Sequence, residues 1–214
     1  AFSRTSTCPV LWVVRSDGVL LGMTYVPGQN VRAWHQHTTD GLFESCCCVA
    51  EGGEDVLYVV VQRTINSRQV RSIERLHTRQ FTNQEDAFFV DCGLSYSGTA
   101  TTTITGLWHL EGRSVVALAD GAVVDGLTVT AGTVELPALA SVVHVGLVIN
   151  AELQTLPVSY QTDEAFGQGV VKDVNKVHLR VSRSGAMHVG PTGGRMVEAK
   201  RRTTESYGEA PALR

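Results

Sequence analysis

Residues 10–77 read VLWVVRSDGVLLGMTYVPGQNVRAWHQHTTDGLFESCCCVAEGGEDVLYVVVQRTINSRQVRSIERLH. Short runs of apolar and β-branched residues recur, and they end at Asp17-Gly18, Pro27-Gly28, Asp40-Gly41, Gly52-Gly53 and Asn66-Ser67. Gly, Asn and Asp accept the positive φ angles of tight turns, so each pair predicts a chain reversal. Helical spacing of apolar residues is not sustained here. The pattern predicts an antiparallel meander with strands at 10–15, 19–26, 31–37, 42–50, 55–64 and 70–77.

A second β-rich region follows at 106–158. Its short apolar runs are separated by Glu111-Gly112, Asp120-Gly121, Asp125-Gly126, Ala131-Gly132 and Pro137. Spacing of about 8 to 12 residues between turns is typical of a small β-sandwich or barrel. Residues 142–149 are apolar at nearly every position, so we expect the central strand there, covered on both faces.

The sequence thus predicts an all-β chain in four parts. Residues 1–80 form the meander, and 81–105 a connector with a short buried strand at 88–90 and a loop from 95 leading into an edge strand. Residues 106–158 form the sandwich or barrel module, and its first predicted strand is Trp108–Leu110. Residues 159–214 contain a loop, a β-hairpin that pairs 176–181 with 186–189, and an irregular basic tail.

The net charge of −3 is unevenly distributed. Residues 81–165 contain ten acidic residues and the single basic residue Arg113, whereas 166–214 contain nine basic and four acidic residues. Such asymmetry bears on partners and solubility rather than on the fold. No apolar run approaches the roughly 20 residues that span a bilayer, and the amino end has no apolar segment typical of a signal peptide.

Cysteine and histidine are the candidate metal ligands of this sequence. The five cysteines include three adjacent ones, 46–48, which is a poor disulfide framework because neighbours on a strand point to opposite faces. His35 and His37 share a strand face, and a hairpin at Asp40-Gly41 would bring Cys46 or Cys48 beside them. The usual zinc-ligand spacings are absent. We therefore predict no metal site and expect the cysteines to act as small buried hydrophobic residues.

The sequence contains no recognisable catalytic or cofactor-binding motif. Glu51, Glu54 and Asp55 are typical of a solvated turn rather than an acid/base pair. Residues 190–195, GPTGGR, lack the Lys-[Ser/Thr] of a phosphate-binding loop and are predicted to form a flexible turn. We predict no catalytic residue, no cofactor and no metal.

Two further groups of residues bear on partners. The basic run Lys200-Arg201-Arg202 is predicted to be a solvated or subunit-pairing face, with contact to DNA phosphates as the alternative. Trp12, Trp34 and Trp108 each lie in an apolar segment, which favours burial in the core over ligand binding.

Long phrases of the chain resemble a known family of virion proteins. They include LWVVRSDGVLLGMTY, VRAWHQHTTDGLFES, DVLYVVVQRTIN, VRSIERLH, FFVDCGLSY, GLWHLEGRSVVALADGAVV and MVEAKRRTTESYGEAPAL, and together they cover nearly the whole sequence. The resemblance is to structural proteins of short-tailed bacteriophages of the tail nozzle, or tail tubular protein B, class. The resemblance implies that homologues extend on both sides, so we expect this chain to be either a fragment of a longer protein or an abridged relative.

The resemblance implies a non-enzymatic subunit of a phage tail. It implies that the meander supplies propeller-like blades and that copies form a homo-oligomeric ring, in the nozzle class a hexamer. The ring would bind other tail proteins and surround the DNA exit channel, through which genomic DNA passes without specific contacts. The protein would belong to the virion and assemble in the host cytoplasm. An acidic segment at 81–165 that lined this channel would repel phosphates.

Two other classes of function remain open from the residues. A receptor- or carbohydrate-binding tail module is favoured if exposed Trp and Tyr cluster on one sheet face, because sugar rings stack on aromatic rings. A tail-borne depolymerase or peptidoglycan hydrolase is the third class, and it lacks a recognisable acid/base pair.

Overall fold

The computed structural model describes residues 1–3, 9–78, 80–156, 173–180 and 187–199. Among these residues the fold is all β with antiparallel pairing, and the helices are short 3-10 turns. The chain divides into two compact units, Ala1–Ile149 and Asn150–Arg214. The strands are β1 Phe2–Ser3, β2 Val10–Val14, β3 Leu20–Val26, β4 Val31–His37, β5 Leu42–Glu51, β6 Glu54–Ile65, β7 Arg68–Arg75, β8 Val90–Thr105, β9 Ser114–Ala119, β10 Ala122–Thr128, β11 Thr133–Val148, β12 His188–Val189 and β13 Val197–Glu198.

The six predicted strands of the meander are confirmed as β2 to β7, but they form two sheets rather than one. The first sheet has the order β1-β2-β3-β4, and the second has the order β5-β6-β7. The hairpin predicted at Asp40-Gly41 is wrong, because this connection carries the chain from one sheet to the other. A Cβ atom on Gly41 would lie 2.5 Å from the carbonyl oxygen of Gln62, so glycine lets the connection pass close to β6.

The first two sheets share one hydrophobic core. Alternate residues of each strand point to the same side, and the side of each sheet that faces the other carries the residues of this core. The buried residues of this core are Val10, Trp12, Leu20, Phe43, Leu57, Val59 and Val61, with Val14, Cys46 and Cys48 partly buried against them. The indole Nε1 of Trp12 donates a hydrogen bond to Ser3 Oγ at 3.0 Å, which satisfies its one polar atom inside the core.

A third sheet has the order β10-β9-β11-β8 and a core of its own. Its core contains strand residues such as Val115, Val143 and Val145, and it is covered by Leu107 and Leu110 from the loop before β9. The prediction of a central strand at 142–149 is confirmed, since β11 lies between β9 and β8. Its last residues, Val148 and Ile149, are exposed. The described residues form no closed barrel; this sheet is open.

Several local predictions for 81–137 are wrong. Residues 95–105 are not a loop but part of β8, which pairs with β11 along its length. Phe89 is 60% exposed, so 88–90 is not a buried strand. The predicted strand Trp108–Leu110 is a 3-10 helix. Pro137 does not separate two strands; it lies within β11 where the register with β8 shifts, and this irregularity removes the need for its missing N–H.

In the second unit the strands described are β12 and β13, which pair around the turn at 190–195. The predicted hairpin between 176–181 and 186–189 is wrong. Lys176–Arg180 is not a strand, and His188–Val189 pairs instead with Val197–Glu198. The predicted loop at 159–169 and the basic residues 200–202 lie outside the described residues.

Candidate interaction surface

A buried ion-pair network lies where β6, β7 and β8 meet. Arg63 is 5% exposed, and its guanidinium donates to both carboxylate oxygens of Glu74, each at 2.7 Å. Its Nη1 donates to the carbonyl oxygen of Asp40 at 2.8 Å, and Nη2 lies 3.5 Å from Asp91 Oδ1. Asp91 also accepts a hydrogen bond from Thr39 at 2.7 Å. The network therefore joins the second and third sheets.

Both members of the central pair are held in their charged forms. Burial opposes the charge of Arg63, but the hydrogen bonds with Glu74 and the nearby negative groups outweigh it and raise the pKa of Arg63. Burial likewise opposes the charge of Glu74, yet hydrogen bonds from Arg63 and Ser72 lower its pKa. A pair held in its charged form in this way is unsuited to acid/base catalysis near neutral pH.

A cavity of about 210 Å³ lies beside this network, and the charged groups around it are already paired. Arg113 forms an ion pair with Asp40. The carboxylate of Glu111 accepts hydrogen bonds from the backbone of the turn at 131–132. Burial raises the pKa of the Cys92 thiol to about 12, which leaves almost no thiolate nucleophile near neutral pH. The cavity is thus lined by charged groups that already have partners and by a thiol held in its protonated form.

The histidines singled out by the sequence do not form a metal site with cysteine. His35 Nδ1 and His37 Nε2 lie 2.9 Å apart, and both rings pack against Trp12. Their predicted shared face is confirmed. Cys46 lies on the second sheet and donates to the carbonyl oxygen of Trp12 at 3.8 Å. Within the described ranges, no group of three or more His, Cys, Asp or Glu residues is placed to hold a metal ion.

A second histidine cluster was missed by the sequence analysis. His77 stacks on Phe88, and His144 contacts both rings. Ser95 Oγ lies 2.7 Å from His144 Nδ1. No carboxylate of the described chain hydrogen-bonds to His144, so the pair lacks the third member of a catalytic triad. No signal in the sequence connects residues this far apart.

The outer face of the first sheet is the most distinctive surface of the first unit. Strand alternation and register place on it Phe2, Leu11, Val13, Leu21, Met23, Tyr25, Arg32, Trp34 and Gln36. Trp34 is 59% exposed and lies opposite Met23, between Arg32 and Gln36 on β4. The guanidinium of Arg32 lies over the Tyr25 ring at 6.0 Å. We call this set the outer face.

The predicted burial of Trp34 and Trp108 is wrong, whereas that of Trp12 is confirmed. The inner side of β4 carries His35 and His37, so Trp34 points to the outer face. Trp108 is 65% exposed and its indole lies over the turn at Gly132, where an added Cβ atom would come within 2.5 Å of the ring. Apolar neighbours in the sequence cannot tell which side of an edge strand faces the core.

The outer face of the second sheet has a different character. Arg71 pairs with Glu44 at 2.7 Å, and Arg75 pairs with Glu51 at 2.8 Å. Glu51 also accepts a hydrogen bond from Tyr58. Such compensated charges are typical of a solvated surface. The outer face of the first sheet contains a single charged residue, Arg32, so it is the better candidate for contact with another molecule.

In comparisons with protein-family models and with curated proteins, none matches the chain. The described helices include none that is both long and apolar enough to cross a membrane. The assignment of a function therefore rests on the surfaces described above and on the resemblance of the sequence phrases.

Proposed function

We propose that this protein is a non-enzymatic structural subunit of a bacteriophage tail, which assembles with copies of itself into a ring around the DNA channel and joins tail components. The observation that carries the proposal is the uncovered apolar outer face of the first sheet. The resemblance to tail nozzle proteins supplies the kind of assembly, a sixfold ring in the virion.

The outer face has the composition of a surface covered by protein. Phe2, Val13 and Trp34 are 45%, 41% and 59% exposed, and half-buried apolar residues lie between them. A contiguous apolar patch on a free subunit costs solubility unless a partner covers it. Aromatic residues, Met and Arg are enriched in the centres of protein interfaces, and Trp34, Met23 and Arg32 are adjacent here.

The test is the mass of the purified chain by light scattering at several concentrations, followed by negative-stain imaging. We expect a closed ring with an open centre of duplex width. A compact monomer at high concentration, or a trimer without a channel, would contradict the proposal.

The acidic segment 81–165 has a structural role in part. Asp120 accepts hydrogen bonds from the backbone N–H groups of Ser141 and Val142, and Glu135 accepts one from Thr103.

Other acidic residues of this segment, such as Asp86 and Asp125, are exposed. We propose that such exposed acids line the channel and repel DNA, so Asp125→Lys should increase salt-sensitive retention of duplex DNA by the assembled ring. Unchanged retention would place Asp125 away from the channel.

A carbohydrate- or receptor-binding tail module is the second candidate, favoured by the exposure of Trp34 between Arg32 and Gln36. A sugar ring could stack on the indole while the two polar side chains bond its hydroxyls. Titration with host polysaccharides should then saturate, and Trp34→Ala should abolish binding. Trp108→Ala is the matched control, because Trp108 is similarly exposed but lies outside the first sheet, in the 3-10 helix Trp108–Leu110 before β9.

A further inference from the structure

The third sheet has two free edges that run in opposite directions. Its order is β10-β9-β11-β8, and every neighbouring pair in it is antiparallel. No strand of the described chain pairs with the outer side of β8 or of β10. Because the sheet has four strands, β8 and β10 run antiparallel to each other. If a second copy in the same orientation is placed beside the first, its β10 meets β8 as an antiparallel neighbour.

The edge of β8 is long and carries no charge over most of its length. Residues 94–105 contain Ser, Thr, Gly, Ala, Leu, Tyr and Ile and neither proline nor a charged residue. The edges of the first two sheets at β4 and β7 differ: β7 carries Arg68, Arg71 and Arg75, and β4 carries Arg32. Natural proteins guard free edges with charges, proline or bulges. β8 has irregular register with β11 near Cys92, near Gly98 and between Thr101 and Thr103. The stretch Thr103–Thr105, which pairs regularly with Thr133–Glu135, offers an uncharged edge.

One contact shows which backbone groups face outward on this stretch. The N–H of Thr103 donates to Thr101 Oγ1 at 3.1 Å, and the same hydroxyl lies 3.4 Å from the carbonyl oxygen of Thr103. Both backbone groups of Thr133 bond to Thr130, so the pair Thr105–Thr133 is not hydrogen-bonded across the two strands. Because such pairs alternate with hydrogen-bonded ones, the N–H and C=O of Thr103 also point away from β11, toward the local hydroxyl. A neighbouring strand could take over both bonds, since the hydroxyl rotates away at little cost.

β10 is a matching partner for this edge. It is a free edge strand of seven residues, and Val123 on it is 76% exposed. Its pairing with β9 is irregular between Val124 and Leu127, so Ala122–Val124 is the regular stretch that it offers. Asp125 is its one charged residue, and Thr103–Thr105 of β8 carries none, so the two edges would not place like charges on directly paired strands. Each copy offers one edge of each kind, so the contact is head-to-tail, and such contacts close into a ring when the rotation between copies permits.

We propose that the β8 edge of one copy pairs with the β10 edge of the next copy, so that the third sheet continues across the subunit boundary. This inference rests on the proposed function, because it names the contact that joins the copies of the ring. The occupant of the β8 edge is a second copy of this chain.

Engineered cysteines test the contact directly. In one chain β8 and β10 are separated by β11 and β9, about 14 Å at the usual strand spacing. A disulfide needs Cα atoms closer than about 7 Å. In the double variants Thr103→Cys/Val123→Cys and Thr101→Cys/Val123→Cys, a bond between the two new cysteines must therefore join two chains. Under mild oxidation these double variants should form a ladder of dimers, trimers and higher species.

The single variants Thr103→Cys and Val123→Cys are the controls, because each alone joins at most two chains at the new site. The native cysteines are present in all variants, so the decisive product is the ladder found in a double variant and in neither single one. A double variant that assembles but gives no ladder overturns the edge pairing while the ring proposal stands. A ladder formed by a chain that shows no closed ring retains the pairing and overturns the ring.

A proline supplies a second test that does not depend on thiols. Thr103→Pro removes an N–H that points away from β11, so the sheet keeps its internal ladder while the edge loses a donor. Thr103→Ala keeps that N–H and serves as the control. We expect Thr103→Pro to lower the assembled fraction at least tenfold and Thr103→Ala to leave it unchanged, with circular dichroism confirming that both variants fold. Equal assembly of the two variants would overturn the proposal.

Discussion

Arg63 and Glu74 form a two-point ion pair from the neighbouring strands β6 and β7. Arg63 Nε lies 2.7 Å from Glu74 Oε1, and Nη2 lies 2.7 Å from Oε2. The side chain of Arg63 is 6% exposed and that of Glu74 is 22% exposed. Asp91 Oδ1 of β8 lies 3.5 Å from the same Nη2. This pair therefore stands at the junction of the sheets, and its removal has a cost that surface pairs do not have.

Replacing Arg63 with Met should lower the free energy of unfolding by about 3–5 kcal/mol, because Glu74 and Asp91 would keep buried charge without a cation. Urea unfolding measures the change. Arg71→Met is the control: its pair with Glu44 is exposed on the arginine side, and we expect a cost of about 1 kcal/mol or less. Similar costs for the two variants would contradict a structural role for the buried pair.

The two tryptophans of the first sheet should respond differently to truncation. Trp12→Ala removes a core ring and its bond to Ser3, so we expect a loss of about 3–5 kcal/mol. Trp34→Ala removes an exposed ring and should cost less than about 1 kcal/mol in the separate chain. Denaturant titration of both variants gives the comparison. A large loss for Trp34→Ala would mean that the outer face is covered within one chain.

The free energy of unfolding should fall as the pH drops below 6.5, the ordinary pKa of histidine, and His144 should account for part of this fall. Burial, and then the nearby His77, lower the pKa of His144 in the fold, while the backbone of Glu85 and the charge of Asp86 act weakly the other way. The unfolded chain thus takes up a proton that the fold does not. The stabilisation is present above pH 6.5 and is lost toward the lowered folded pKa.

The measurement for this prediction is the urea midpoint between pH 7.5 and 5.5. His144→Gln should flatten the pH dependence, and His188→Gln, at an exposed position on β12, should leave it unchanged. An equally steep dependence in His144→Gln would assign the effect to other groups. The lowered pKa of Glu74 acts in the same direction at more acidic pH.

Cys92 should resist alkylation in the folded chain. With its pKa raised to about 12, the thiolate fraction at pH 8 is on the order of 10⁻⁴. Cys47 is exposed on β5 and should react first with iodoacetamide. Peptide mass spectrometry after short exposure distinguishes the two sites. Equal labelling of Cys92 and Cys47 in the native protein would contradict the burial of this thiol.

The strand positions of the meander could be predicted from the sequence because they depend on local chemistry. Turn residues such as Asn66 and Ser67 adopt positive φ, and β6 and β7 begin and end within about two residues of the prediction. The division into two sheets could not be predicted in this way. It depends on the passage of Gly41 beside β6, a contact between residues about twenty positions apart.

The outer face and the ion-pair network were missed for related physical reasons. On β4 both sets of alternate residues include an aromatic ring, so the pattern did not decide which set faces the core. Arg63, Glu74 and Asp91 lie on three strands, and their proximity arises from register and sheet packing. Sequence spacing carries no information about either.

The position of Asp91 has a consequence for synthesis of the chain. The partners of Arg63 reach the ribosome exit in sequence: the Asp40 carbonyl first, then Glu74, and Asp91 only with β8. A nascent chain that ends near residue 80 has both of the first sheets but lacks the strand that covers this pair. In that nascent chain the Arg63–Glu74 pair is still open to water. We therefore expect the first unit to reach its full stability only after translation has passed β11, in one late cooperative step.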